Sequence, residues 1–276
     1  MLKIKHIRVK MEIYMWSLCC VMKTTDYSKI AKRYDGNRLR KDFSVCSDLI
    51  NYVSRSRAKR FRVLDLGCGT GNFIKVHSSL NDLRSVSWHG LDSSEEMLNI
   101  AKSKKLARSC VFELGTAEKL PYNDRYFDII ICNFAFHHFR SKRKVISEIY
   151  RCLRGNGIFI MKDIEPYSMK DWWVYKFFPS TFQVDKSRFW GLTKIINEFK
   201  NMSFTPEIRI EKKIFYDDLN LILKDSLNRD ISELTLIPLT EYKSGVREIR
   251  KQLKNTPIFL TENSIMNLIT QKQTGD

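Results

Sequence analysis

The chain has 276 residues, 43% of them apolar and 29% charged, with 48 lysines and arginines against 31 aspartates and glutamates. That length and apolar content bury a core as one domain with an elaboration, or as two, and exclude a disordered or fibrous chain. The formal charge of +17 raises acidic partners, while seven cysteines with no Cys-x-x-Cys indicate neither a disulfide framework nor a zinc site, so a reducing cytoplasm is the expected setting.

Residues 1–22 place Lys3, Lys5, Arg8 and Lys10 before a short apolar run from Ile13 to Met22, loosely imitating a signal peptide. Glu12 borders that run and no small-residue cleavage pattern follows, so the segment reads as an extension outside the fold, with Met22 as the functional start. No apolar stretch reaches the ~18 residues of a membrane span. Residues 23–60, with Tyr27, Ile30, Ala31, Tyr34, Phe43, Leu49, Ile50 and Val53, read as one or two helices covering a ligand.

From residue 61 the pattern changes. Val63 to Leu66 reads as a short buried parallel strand, and it runs straight into Gly67-Cys68-Gly69-Thr70-Gly71. Alternate glycines let the backbone turn tightly and approach a ligand with no Cβ in the way. The helix expected over 72–80 then directs its free N–H groups at whatever lies over the loop. Asp65, near the carboxyl end of the strand, implies a partly cationic ligand. A second strand over 86–91 ends in Asp92, 21 residues after Gly71, close to the ~20-residue offset at which an acid grips ribose hydroxyls. Ser93-Ser94-Glu95-Glu96 starts a helix over 94–106, with Met97 and Leu98 on its apolar side.

Further strands are expected at 110–115, 127–133 and 157–163, with a helix over 141–153. This alternation gives a right-handed, doubly wound, mostly parallel sheet. Beyond Pro166, eight aromatics from Trp172 to Trp190 crowd a segment too dense and interrupted for a simple strand or helix. Residues 191–204 read as a core helix, 207–215 and 263–270 as strands, and 217–255 as basic and helical.

The ordered set of the glycine loop, His89 to Leu98, Gly115 to Tyr122, Phe127 to Phe139 and Leu153 to Ile160 resembles the class I S-adenosylmethionine-dependent methyltransferases. The likeness is to the small-molecule branch that includes ubiquinone and menaquinone biosynthesis enzymes, and it spans Val63 to about Pro166. The resemblance implies a seven-stranded α/β sheet, Rossmann-like, with N-terminal cover helices and a C-terminal helical insertion. The expected division is 23–60 for the N-terminal helices and 61–166 for the S-adenosylmethionine-binding core. Residues 167–276 complete the sheet and carry substrate lids at 167–190 and 217–255.

By the same resemblance Asp65 meets the cofactor's methionine ammonium, Gly67, Cys68, Gly69 and Gly71 form the close-approach loop, and Asp92 with Ser93 holds the ribose. Met97 lies against adenine, Thr116, Ala117 and Glu118 flank its amino edge, and Asn133 with Phe134 meets the methionine end. The family commonly has aspartate where Thr116 stands; a neutral hydroxyl makes a weaker partner. His137 and His138 are candidate general bases, since imidazole takes a proton near neutral pH, and read equally as a helix cap or as packing under the cofactor. The expected activity is methyl transfer to an O, N or C atom of a small molecule. RNA methylation and a catalytically silent binding protein stay open. Asn133-Phe134-Ala135-Phe136 stands where base amino-group methyltransferases carry Asn/Asp-Pro-Pro-aromatic, which disfavours DNA adenine.

Overall fold

The computed structural model describes residues 44–106, 110–229 and 231–273, together with Ala31 and Asp35, both in helical conformation. The 1–22 extension and most of the first cover helix, including Tyr27, Ile30, Tyr34 and Phe43, lie outside the described residues. Seven strands, β1 (Phe61–Leu66), β2 (Val86–Asp92), β3 (Cys110–Leu114), β4 (Phe127–Asn133), β5 (Leu153–Ile164), β6 (Phe204–Asp218) and β7 (Ile258–Lys272), form one sheet in the order β3-β2-β1-β4-β5-β7-β6. β1 to β5 run parallel, and β7 is antiparallel to both β5 and β6. The chain turns outward in opposite directions from β1 and β4, which makes their carboxyl ends the switch-point crevice where ligands of open α/β sheets bind.

Period-two alternation along the central strands decides what covers each face. On one face Val63, Ile129, Ile131, Ile158 and Ile160 meet Leu49 and Val53 of α1 (Ser47–Arg55), Phe73 and Ile74 of α2 (Asn72–Ser78) and Leu98 of α3 (Glu95–Ser103). On the other, Leu64, Ile130, Cys132, Phe159 and Met161 meet Val145, Ile146 and Ile149 of α4 (Lys142–Cys152) and Ile195 and Phe199 of α7 (Leu192–Lys200). Both layers are predominantly apolar because both faces are covered. Each such side chain contributes about 1.5–3 kcal/mol through burial. The serine cap expected for the third helix is present, with Met97 N–H donating to Ser94 Oγ at 3.3 Å.

Between these lie α5 (Trp173–Phe177), α6 (Ser180–Arg188), α8 (Leu219–Asn228) and α9 (Leu239–Gln252). The aromatic belt resolves into α5, α6 and the turn between them; Trp173, Tyr175, Phe177 and Phe178 build a third apolar cluster with Ile222 of α8 and Val246 and Ile249 of α9. A charged knot fastens the two inserted segments together. Buried Arg188 donates to Asp185 at 2.7 Å and to Glu233, and the Tyr175 hydroxyl donates to Asp185 at 2.7 Å. β6 and β7 each run 15 residues, longer than the expected 207–215 and 263–270. The expected helix over 191–204 ends at Lys200, where the chain turns through Ser203, at φ 57°, into β6. Among the described residues no helix is long and apolar enough to cross a membrane.

Candidate functional site

A cavity of about 440 Å³ lies at the carboxyl ends of β1, β2 and β4, within the range of small-molecule sites. Of the residues expected from the sequence, Gly67, Gly69, Asp92, Ser93, Met97, Thr116, Ala117, Glu118, Asn133, Phe134 and His138 line it. The glycine turn creates the floor. Gly67 and Gly69 have φ of +76° and +52°, a region L side chains avoid. A Cβ at Gly67 would stand 2.6 Å from Ala135 Cβ, whereas one at Gly69 meets nothing within 4 Å and points into open space.

Asp92 finishes β2 and braces this turn. One carboxylate oxygen accepts the Gly69 N–H at 2.8 Å, and the other accepts the Ser94 N–H at 2.9 Å. Burial raises its pKa, opposed by those backbone donors. Each carboxylate oxygen has a second acceptor direction, so two further donors, such as a vicinal diol, are accommodated without losing the brace. Leu91, Met97 and Ala117 supply flat apolar surface beside it. Lys104, near the end of α3, ties the loop down by donating to Thr70 O at 2.6 Å and to Asp35 at 2.6 Å.

Asp65 lies beneath the turn, only 2% exposed, and its Oδ2 has no hydrogen-bond partner among the described residues. Burial, reinforced by the neighbouring Asp92 charge, pushes its carboxyl up to about 8. A buried carboxylate oxygen without a partner is costly unless a donor arrives. Asn133 Nδ2 is likewise buried without a partner among the described residues, and Phe134 beside it holds φ 51°, a left-handed conformation rare for a bulky residue.

Four expected site residues do not line the cavity. Asp65 sits under it, as described. The Cys68 side chain turns into the apolar layer with Phe73 and Leu98, and burial raises its thiol well above the ordinary range. Gly71 caps α2, where a Cβ would lie 3.1 Å from Ala101 and 3.2 Å from Phe112. His137 turns the opposite way from His138. Its Nδ1–H donates to both oxygens of buried Asp163 at 2.9 Å, and its ring stacks on Phe189 at 4.2 Å. Burial pushes the Asp163 carboxyl up to about 7 against the pull of the Ile164 N–H, His137, Arg188 and Lys142. His138 faces the cavity with its ring 3.9 Å from that of His137. Glu118 also acts as a cap, accepting the N–H groups of Arg140 and Ser141 ahead of α4.

Reading by residue type misses Asp163 and Lys142. Asp163 reads only as the end of an apolar strand; Lys142 reads as part of an exposed basic run, yet it is buried, donates to His137 O and Phe139 O, and is pushed by burial down to about 8. The basic group Arg55, Arg57, Lys59, Arg60 and Arg62 runs from the end of α1 into the start of β1, at the opposite edge of the sheet from the cavity.

Residues 58–221 match the family model described as a methyltransferase domain. The chain belongs to the methyltransferase domain family. Among curated members, an uncharacterized methyltransferase, YcgJ of Bacillus subtilis, is 36% identical over 143 residues, covering 50% of this chain and 54% of that protein. The demethylmenaquinone methyltransferase of Thermotoga maritima is 34% identical over 122 residues, covering 44% of this chain and 52% of its own. The chain thus spans about half the length of these curated relatives. The crystal structure of YcgJ superposes with a TM-score of 0.59 at 23% identity over 82% of this chain and 97% of that one, a likeness of fold. The strand order and covered sheet described above are those of the Rossmann-like methyltransferase fold.

Proposed function

We propose that this methyltransferase domain uses S-adenosylmethionine to methylate an O, N or C atom of a small molecule by in-line displacement. The observation that carries the reading is the Asp65 carboxylate oxygen, without a partner among the described residues and buried under a glycine turn that Asp92 braces from the next strand. The residues present fit that cofactor. Asp65 takes the methionine ammonium, Asp92 the two ribose hydroxyls, Met97 and Leu91 the purine faces, and Thr116 its amino edge. Gly69 leaves room that any side chain would fill.

When bound, the cofactor supplies an already activated methyl group on a sulfonium. The protein's part is then orientation and exclusion of water, and correct positioning supplies roughly 7–11 kcal/mol of the barrier. Asn133 and Phe134 stand where the methionine end and the acceptor meet. His138 is a cavity-lining group able to accept a proton from an O–H or N–H acceptor near neutral pH, with its ring packed on His137, which Asp163 orients. The small-molecule acceptor is supported by the similarity to a relative named demethylmenaquinone methyltransferase and by the position of the basic 55–62 group away from the cavity.

Calorimetric titration with S-adenosylhomocysteine and, separately, with NAD tests the cofactor; heat with the first and none with the second is expected. Transfer of label from methyl-labelled S-adenosylmethionine into a metabolite extract, rather than into RNA, tests the acceptor class. No heat with S-adenosylhomocysteine would remove the reading.

A further inference from the structure

A second cavity, of about 420 Å³, opens on the α1 face of the sheet and shares Asn133 and Phe134 with the first. Its floor is one register row. Asn133 on β4 pairs with Lys162 on β5, Lys162 with Asn267 on β7, and Asn267 with Arg209 on β6. Directly paired residues on neighbouring strands project to the same face, and strands lie about 4.8 Å apart, so the four polar side chains span about 14 Å. Two residues deeper, the same strands carry Ile131, Ile160 and Ile269 on that face, so the polarity begins where the apolar layer stops.

The four divide into two that meet carboxylates and two that, among the described residues, do not. Arg209 is neutralised by Asp48, the α1 residue above it, and Asn267 donates to Glu211 at 3.0 Å. Lys162 donates to the Ser44 hydroxyl at 3.1 Å and has no carboxylate partner among the described residues. Beside it, at the border with the first cavity, lies the Asn133 amide, whose Nδ2 has no partner among the described residues. A cation lacking a counter-ion next to a buried donor lacking an acceptor is a recognition pair for a small anion. An isoprenoid tail laid along the row would instead strip water from four polar side chains and return no hydrogen bonds.

We propose that this cleft is the acceptor site and that the acceptor is a small carboxylate, its anion on Lys162 and an oxygen held by the Asn133 amide. The reactive atom then points past Phe134 towards the first cavity. The inference rests on the methyl-transfer reading and narrows it to anionic metabolites, away from prenylated quinones.

The test incubates the full chain with methyl-labelled S-adenosylmethionine and a metabolite extract, then divides the products between an anion exchanger at pH 7 and an organic phase. Label retained on the exchanger is expected. Lys162→Met should raise KM for that fraction at least tenfold, with kcat changed less than threefold and S-adenosylhomocysteine affinity unchanged, and Lys162→Arg should recover most of the KM. Label in the neutral organic phase, or an unaltered KM in a folded Lys162→Met, overturns the carboxylate assignment while leaving methyl transfer intact. Label in neither phase, from protein that binds S-adenosylhomocysteine, defeats the transfer reading and this assignment with it.

Discussion

Asp65→Asn separates the price of burying a carboxyl from its use. The folded environment pushes this group from an ordinary 3.8 to about 8, first through burial and then through the Asp92 charge. A raised carboxyl pKa means the folded state favours the protonated form, so its stabilising share is complete below about pH 4 and is lost as the pH rises towards 8. Asparagine keeps the shape and does not ionise. The variant should therefore exceed the parent in stability by about 2 kcal/mol at pH 5, about 4 at pH 7 and about 5 at pH 8, taking ~1.4 kcal/mol per pKa unit as an upper bound because the site relaxes around a charge. Urea denaturation followed by tryptophan fluorescence, without ligand, reads this directly. The same group must ionise to meet an ammonium. S-adenosylhomocysteine binding at pH 7 should then release close to one proton in the parent and none in the variant, as measured by calorimetry in buffers of different ionisation enthalpy, and the variant should bind at least tenfold more weakly. A stability difference independent of pH, or binding without proton release, would refute the assignment of Asp65 as a buried acid awaiting a cation.

Asp92→Ala removes the brace on Gly69 and Ser94 as well as the ribose acceptor, and should weaken S-adenosylhomocysteine by about 1.5–3 kcal/mol in a calorimetric titration, the scale of hydrogen bonds to a charged group; equal affinity in a folded variant contradicts the ribose role. Gly69→Val places a side chain in the open cavity at φ +52°, so circular dichroism should report a retained fold, weakened by about 1–2 kcal/mol of left-handed strain, while binding disappears. His138→Ala should lower label transfer by about 10²-fold at unchanged S-adenosylhomocysteine affinity, the usual share of a general base; His137→Ala should act instead on the melting temperature, because it uncouples buried Asp163 from Phe189. Gly245→Ala sets a Cβ 2.3 Å from the Phe178 ring and 2.4 Å from Phe177 O, so it should destabilise the insertion by about 1–3 kcal/mol in denaturant titrations while leaving S-adenosylhomocysteine binding in place.

The parallel half of the sheet was legible because its strands contain short apolar runs, most of them ending at or just before a glycine or an acid, the pattern a doubly covered sheet imposes. Asp92 could be found for the same reason: it ends a strand at a fixed offset from the loop. The edge ribbon was harder. In β6 the run Glu207 to Asp218 alternates poorly, since most of its residues are exposed on both faces, and its ends carry no apolar signal. The roles of His137 and His138 were not separable in sequence because adjacent residues of the short turn at Phe136–His138 leave it in different directions, one to Asp163 and one to the cavity. Arg188 and Glu233 lie 45 residues apart, and the row of Asn133, Lys162, Asn267 and Arg209 draws one residue from each of four strands. Spacing along a chain carries no trace of such neighbours; strand order and register create them.

Phe134 belongs to the wall of both cavities, at a backbone angle few residues tolerate. Being one wall with two faces, it couples the chambers: an occupant of one that shifts Phe134 reshapes the other. Thermodynamic linkage then makes the effect mutual: to the extent that one occupant tightens its neighbour, the neighbour tightens it by the same factor.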